Sequence, residues 1–132
     1  MSPAKSAKKS AARIIIPAGA YPEFHEIATA RTLADFFGSE VEFLPTTSDK
    51  TPDVLIGGIR WEMKAPLGNG KNNLKHQFSR AMKQSKNIVI DARRSKIDVR
   101  NIRRFLKKEG ATARTLKRLI FITKEEKVEV IK

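Results

Sequence analysis

The sequence predicts a single α/β domain, with a mixed sheet flanked by helices, that follows a flexible basic arm over residues 1–12. Apolar residues recur at helical spacing in three segments, and short apolar or alternating runs typical of strands lie between them. With 132 residues, of which 40% are hydrophobic, the chain can form one modest core but not two. The predicted domain therefore spans residues 13–132, in the order α-β-β-β-α-β-α-β-β.

The first half of this domain contains one predicted helix and a strand followed by a hairpin. Apolar positions repeat every three or four residues over 22–37, and Gly38 is placed to end the helix. Residues 41–45 alternate and stop at a proline, which is typical of a short strand. Residues 53–65 hold two apolar-rich runs on either side of Gly57-Gly58, the composition of a two-residue hairpin turn.

The glycine pair predicts which hairpin residues face one another. Asp53 faces Glu62, and the other predicted pairs are Val54 with Trp61, Leu55 with Arg60 and Ile56 with Ile59. Because strand side chains alternate, one face is apolar and consists of Val54, Ile56, Ile59, Trp61 and Met63. The opposite face consists of Asp53, Leu55, Arg60, Glu62 and Lys64. The register thus separates a core face, which includes Trp61, from a face that can carry chemistry.

The second half adds two helices, a buried strand and a closing hairpin. Residues 72–86 repeat apolar positions at helical spacing, and residues 87–92 form a short apolar run typical of a buried strand. Ser95, with Asp98 three residues later, is expected to cap the next helix, which should end near Gly110. Two further apolar runs around a charged turn predict the final hairpin, over residues 119–123 and 128–131.

Charge is distributed unevenly along the chain. The sequence has 27 Lys and Arg against 14 Asp and Glu, a formal net charge of +13 and a pI near 10.4. Residues 22–65 hold eight acids and four bases, whereas residues 66–118 hold sixteen bases and three acids. A nucleic acid is the favoured partner, because lysines and arginines that bind phosphates release counterions. The expected substrate contacts are Lys71, Lys75, Arg80, Arg93 and Arg94.

Several classes of protein are excluded or disfavoured by composition. Without cysteine the chain has no disulfide scaffold, Cys-type zinc finger or thiol nucleophile. The sequence shows neither a membrane-spanning run of about 18 apolar residues nor a secretory signal. We therefore expect a cytoplasmic site of action and no membrane partner, and a domain delivered by other machinery would have the same composition. Few aromatics are expected at the surface, which favours recognition of folded RNA or a duplex by shape over base stacking. His25 and His76 are expected to be surface or phosphate-contact residues.

The facing acids of the hairpin carry the predicted chemistry. Like charges directly opposite in a hairpin cost up to about 1 kcal/mol, and a divalent cation between Asp53 and Glu62 would turn that cost into a site. A small set of carboxylate oxygens suits Mg²⁺ or Mn²⁺ better than Zn²⁺. Lys64 projects from the same face and can orient a water or stabilise charge on phosphorus. In the alternative interpretation, Asp53 starts a turn and Glu62 and Lys64 form a solvated strand face.

Two family resemblances rest on these residues. Pro52-Asp53 and Glu62-Met63-Lys64 resemble the signature of the PD-(D/E)xK nucleases, which share the α-β-β-β-α-β core; this chain would add a C-terminal helix and hairpin. A closer resemblance, over about residues 23–94, is to the C-terminal tRNA nuclease domain of CdiA-type contact-dependent growth inhibition proteins. The segments that carry it are 26–30, 33–34, 52–54, 61–66 and 84–91.

This resemblance implies a role for each residue. Glu26 would join Asp53 and Glu62 at the metal, Lys64 would position the nucleophile, and Gln84 would be the polar residue that the following helix directs at the site. The implied function is a metal-dependent nuclease that acts on RNA, with tRNA favoured, and a toxin would have an acidic immunity or antitoxin protein. Two alternative activities stay open: a DNA endonuclease or resolvase of the same superfamily, and a non-catalytic nucleic-acid-binding module. A nuclease of this kind could also serve a toxin–antitoxin pair, a mobile element or RNA processing.

Overall fold

The computed structural model describes residues 12–45 and 53–132. Its helices are α1 (Phe24–Phe37), α2 (Lys71–Gln84) and α3 (Val99–Thr112). Its strands are β1 (Ile14–Ile15), β2 (Val41–Phe43), β3 (Asp53–Ile56), β4 (Ile59–Lys64), β5 (Asn87–Asp91), β6 (Arg118–Ile122) and β7 (Val128–Val130). The predicted α/β domain is confirmed. Nearly all of the predicted arm lies outside the described residues.

The described strands form one mixed sheet in chain order, from β1 to β7. The β1–β2, β4–β5 and β5–β6 pairs are parallel, whereas the β2–β3, β3–β4 and β6–β7 pairs are antiparallel. Helices α1, α2 and α3 are the crossovers that these three parallel pairs require. No helix among the described residues is long and apolar enough to cross a membrane.

Two apolar layers cover the two faces of the sheet. On β5, Val89 belongs to the layer formed with α1, whereas Ile88 and Ile90 belong to the layer formed with α2 and α3. On β4, Trp61 and Met63 belong to the α1 layer. Because side chains alternate along a strand, the side chains at positions 62 and 64 lie on the α2 face of the sheet.

The hairpin of β3 and β4 has the predicted register. Asp53 faces Glu62, and the other three predicted pairs are also present. Gly57 and Gly58 have φ values of 57° and 80°, as a type I′ turn requires, and this turn matches the twist of the strands. Trp61 is buried in the α1 layer, as predicted. The hairpin therefore presents Asp53 and Glu62 side by side on the α2 face.

The cap of α3 differs from the prediction. Asp98, rather than Ser95, is the N-cap residue, and its carboxylate accepts a hydrogen bond from the Arg100 amide at 2.8 Å. Ser95 is buried three residues before Asp98, where its hydroxyl accepts a hydrogen bond from the Ile97 amide. The error arose because both positions offer a side chain that can cap a helix, and the sequence alone did not distinguish between them.

Two further details were not anticipated. Helix α3 ends at Thr112, near Gly110 as predicted, but Gly110 itself lies within the helix, and a Cβ there would lie 3.4 Å from Leu119 Cδ2. This glycine therefore allows close packing of the helix on β6 instead of ending it. Strand β1 was missed because it has two residues and no alternation, and it forms only by pairing with β2.

Candidate active site

Glu62 and Lys64 form a buried ion pair at the centre of the α2 face. The side chain of Glu62 is 0% exposed and that of Lys64 is 6% exposed, with Nζ 3.4 Å from Glu62 Oε2. Gln84, at the end of α2, faces the same carboxylate; oriented with its nitrogen toward Glu62, its amide donates to Oε2 at 2.6 Å. The structure thus places Glu62 between a cation and an amide donor.

Asp53 lies opposite Glu62 and has a different cation. Its Oδ2 accepts hydrogen bonds from two guanidinium nitrogens of Arg60, one of them Nε at 2.7 Å. Its Oδ1 is buried and has no hydrogen-bond partner among the described residues. Because each acid is compensated by its own cation, the hairpin can hold two facing carboxylates without unbalanced charge.

This donor set suits a hard divalent cation. Two carboxylates in register, one with an unpartnered buried oxygen, are ligands of the kind that Mg²⁺ and Mn²⁺ prefer. No group of three or more His, Asp or Glu close enough to hold a metal ion occurs in the part of the chain that the structure describes. An ion held by Asp53 and Glu62 would therefore keep positions for water and substrate oxygens.

Glu26 lies at the start of α1, the helix that packs on the opposite face of the sheet, and the structure does not group its carboxylate with those of Asp53 and Glu62. Its Oε1 accepts a hydrogen bond from the Glu23 amide at 2.6 Å, so the carboxylate is held at the helix end. Glu26 and Lys64 both line a cleft of about 230 Å³, here called the Lys64 cleft. Its lining also includes Glu23, His25, Gln77 and Arg94. The structure thus brings Glu26 to the cleft of Lys64, while its metal role stays a prediction.

The two arginines after β5 have different surroundings. Arg93 Nη2 donates to Asp91 Oδ2 at 2.7 Å, and buried Asp91 also accepts a hydrogen bond from the Thr29 hydroxyl on α1. Hydrogen bonding to Asp91 raises the pKa of Arg93 above its usual value. Arg94 instead lines the Lys64 cleft and forms no ion pair with a described residue. Sequence reasoning missed the Asp91 network, for which the only signal was an acid at the end of an apolar strand.

The other predicted substrate contacts lie along α2. Lys71 is its first residue, and Lys75 and Arg80 are exposed. His76 is exposed as expected, but His25 is only 29% exposed as a side chain and lines the Lys64 cleft. Lys75 and Arg80 thus offer a charged surface that a phosphate backbone can contact.

The expectation of few exposed aromatics is wrong. Tyr21 is 83% exposed, Phe24 is 91% exposed, and Phe36 and Phe37 are partly exposed. Phe24 fits the apolar spacing of α1, but it is the first residue of the helix and precedes the part that packs on the sheet. Periodicity alone could not separate this end position from the core positions.

The fold and the site define a small α/β domain with a basic helical surface and a buried acid–lysine group beside a cleft. The family model for the contact-dependent growth inhibition CdiA C-terminal domain matches residues 50–128. The chain therefore belongs to the CdiA C-terminal domain family, and this membership indicates a toxic effector domain.

A solved structure shows the same fold. It is described as a CdiA-CT/CdiI toxin and immunity complex from Burkholderia pseudomallei, and it is similar to this chain with a TM-score of 0.66. The match covers 91% of this chain and 98% of that chain at 21% sequence identity, so the likeness establishes the fold alone. No curated protein matches the chain.

Proposed function

We propose that this chain is a metal-dependent nuclease of the PD-(D/E)xK type that cleaves RNA, with tRNA favoured, as the toxic activity of a growth inhibition effector. The observation that carries the proposal is the facing pair of Asp53 and Glu62, next to buried Lys64. Ionisable side chains in a dry site are costly unless paired, and clusters of them beside a cleft are typical of catalytic centres.

Asp53 and Glu62 would hold Mg²⁺ or Mn²⁺, and Glu26 would join them only after its carboxylate releases the Glu23 amide. The ion would supply an activated water and neutralise charge on the phosphate. Asp53 would offer Oδ1, the atom that has no hydrogen-bond partner among the described residues. Arg60, whose side chain is 53% exposed, can leave Asp53 for solvent at small cost when another cation binds.

Lys64 would act directly on the reacting groups. Lys64 lines the Lys64 cleft and its Nζ is 3.4 Å from Glu62 Oε2, so the ammonium is held in place before substrate arrives. From there it would donate a hydrogen bond to the attacking water or to a phosphate oxygen in the transition state. Gln84 would keep the Glu62 carboxylate oriented through its amide.

The charge of the domain supports a nucleic acid substrate. Residues 66–118, with sixteen bases and three acids, include all of α2 and α3. Such a surface binds phosphate backbones without reading sequence. The neighbouring structure is a toxin and immunity complex, and on this basis we infer an immunity protein for this chain as well, acidic to match its surface.

The proposal is tested by cleavage of tRNA and of plasmid DNA, each with Mg²⁺ and with EDTA. We expect tRNA cleavage that requires Mg²⁺ and falls by about 100-fold or more in Asp53→Asn and Glu62→Gln. Asp35→Asn is the matched control, because Asp35 also pairs with an arginine, Arg31, at 3.0 Å but lies near the other end of α1.

Each other outcome has a distinct meaning. Cleavage that persists in EDTA or in Asp53→Asn contradicts the proposal, and cleavage of plasmid alone supports the DNA endonuclease. Binding of RNA without any cleavage supports the non-catalytic module. Circular dichroism of every variant verifies that the fold is intact. In cells, induction of the wild-type chain should arrest growth, and induction of Asp53→Asn should not.

A further inference from the structure

Two exposed aromatic residues belong to the segment, residues 21–26, that supplies part of the lining of the Lys64 cleft. Phe24 is placed between Glu23 and His25, both of which line the cleft, and Tyr21 precedes Glu23 by two residues. Their exposed fractions, 91% and 83%, are the two highest among the large hydrophobic residues that the structure shows at the surface. Aromatic rings left in water in this way are typical of binding anchors.

The Lys64 cleft can receive a phosphate. Lys64 and Arg94 both line it, and Arg94 is not paired with any acid that the structure describes, in contrast to Arg93. The acids of the same cleft are compatible with this role. Glu26 is hydrogen-bonded to the Glu23 amide, and the side chain of Glu23 is 75% exposed, so salt screens its charge.

We propose that the cleft binds unpaired nucleotides, with bases stacked on Phe24 and Tyr21 and a phosphate bound by Arg94. This inference rests on the proposed nuclease function and specifies its substrate as a single-stranded segment, such as a loop or an end. Base stacking on aromatic rings requires a base that is free of its duplex, because inside a duplex the neighbouring stacked base pairs cover both of its faces. A duplex read by shape alone would leave both rings unused.

Cleavage of one RNA in two states tests the proposal. The substrate is a short oligonucleotide, either single-stranded or annealed to its complement. We expect wild type to prefer the single strand and Phe24→Ala to lower kcat/KM on it by about 5- to 150-fold, the range that one stacked base contributes. Tyr21→Ala should act in the same direction, and Phe24→Trp should restore cleavage.

Phe36→Ala is the matched control. Phe36 is also a partly exposed phenylalanine of α1, but it lies twelve residues further along the helix, roughly 18 Å away along its axis. Its cleavage rates should equal those of wild type. Equal effects of Phe24→Ala and Phe36→Ala, or equal cleavage of the single strand and the duplex, would overturn the stacking proposal. Absence of all cleavage by wild type would instead refute the nuclease itself.

A binding measurement separates stacking from catalysis. The probe is the same single strand with 2-aminopurine at successive positions, added to Asp53→Asn so that no turnover occurs. Stacking on an aromatic ring should quench its fluorescence at one or two positions, and Phe24→Ala should abolish that quenching. Arg94→Ala should weaken binding, whereas Phe36→Ala should leave both unchanged. If Phe24→Ala weakens only the complex with an immunity protein, the rings are a protein contact and the proposal is wrong.

Discussion

Replacing Lys64 with methionine would leave Glu62 buried without its cation. Removal of one partner from a buried pair costs about 3–5 kcal/mol, because the remaining charge has lost its solvent and its partner together. We expect Lys64→Met to lower the free energy of unfolding by that amount. Methionine keeps the length and apolar stem of the lysine, so little of this loss comes from packing.

The geometry of the pair supports this magnitude. At the 3.4 Å between Nζ and Oε2, two unit charges attract by about 5 kcal/mol at an effective dielectric constant near 20. Water screens the pair little, because the exposed fractions of the two side chains are 6% and 0%. The hydrogen bond from Gln84 remains in the variant and offsets part of the loss.

A double-mutant cycle measures the coupling free energy between the two side chains. The variants are Lys64→Met, Glu62→Gln and the combination, each unfolded in urea and followed by the fluorescence of Trp61, the single tryptophan of the chain. The combined variant contains no buried charge at this position, so it should be more stable than the sum of the single losses predicts, by about 2–4 kcal/mol. Similar slopes with urea in all four proteins would show that the unfolded states are comparable.

The surface pair of Arg13 and Glu40 provides the control. Its atoms are closer, at 2.8 Å, but the side chains are 74% and 49% exposed. The cycle with Arg13→Met and Glu40→Gln should give a coupling below about 1 kcal/mol. If Glu62 and Lys64 couple no more strongly than this surface pair, the two charges are not desolvated and the reasoning is refuted.

Three further predictions concern metal, pH and packing. In calorimetry, Mn²⁺ at a concentration one hundred times its dissociation constant should raise the free energy of unfolding of wild type and of Asp35→Asn by about 2.7 kcal/mol. The same concentration of Mn²⁺ should leave the free energy of unfolding of Asp53→Asn unchanged. A side-chain hydrogen bond from Arg103 lowers the pKa of Glu129. The stability it contributes is thus present above the unfolded pKa and lost as pH falls through the folded pKa, and NMR titration of Glu129 should show this low value. Gly110→Ala should be tolerated and Gly110→Leu should destabilise by about 1–3 kcal/mol in thermal unfolding, because a Cβ there lies 3.4 Å from a leucine carbon.

The hairpin was predictable because its determinants are local. Two glycines favour a type I′ turn, the turn sets the register, and alternation then assigns each side chain to a face. All four predicted pairs, including Asp53 with Glu62, are present in the structure. The same locality made α1 predictable, since Gly38 ends it with a φ of 63°.

What the sequence could not provide depends on residues far apart in the chain. The network of Thr29, Asp91 and Arg93 joins α1 to the end of β5 across 62 positions, and no spacing rule links them. The exposure of Phe24 likewise depends on where the sheet stops beneath α1. Both features decide which charged and aromatic residues can meet a substrate, so the shape of the cleft required the fold.

The burial of Glu62 and Lys64 is itself an argument for chemistry at this site. Apolar residues of similar volume at both positions would continue the layer that Ile88 and Ile90, their register neighbours on β5, form with α2. Such replacements of buried ion pairs are often neutral or stabilising by about 1–4 kcal/mol, so stability alone gives no reason to keep the charges. Catalysis gives a reason to keep them, because the pair lies beside the Lys64 cleft and opposite Asp53. A fixed cation and two carboxylates are the groups that metal-assisted phosphate hydrolysis uses.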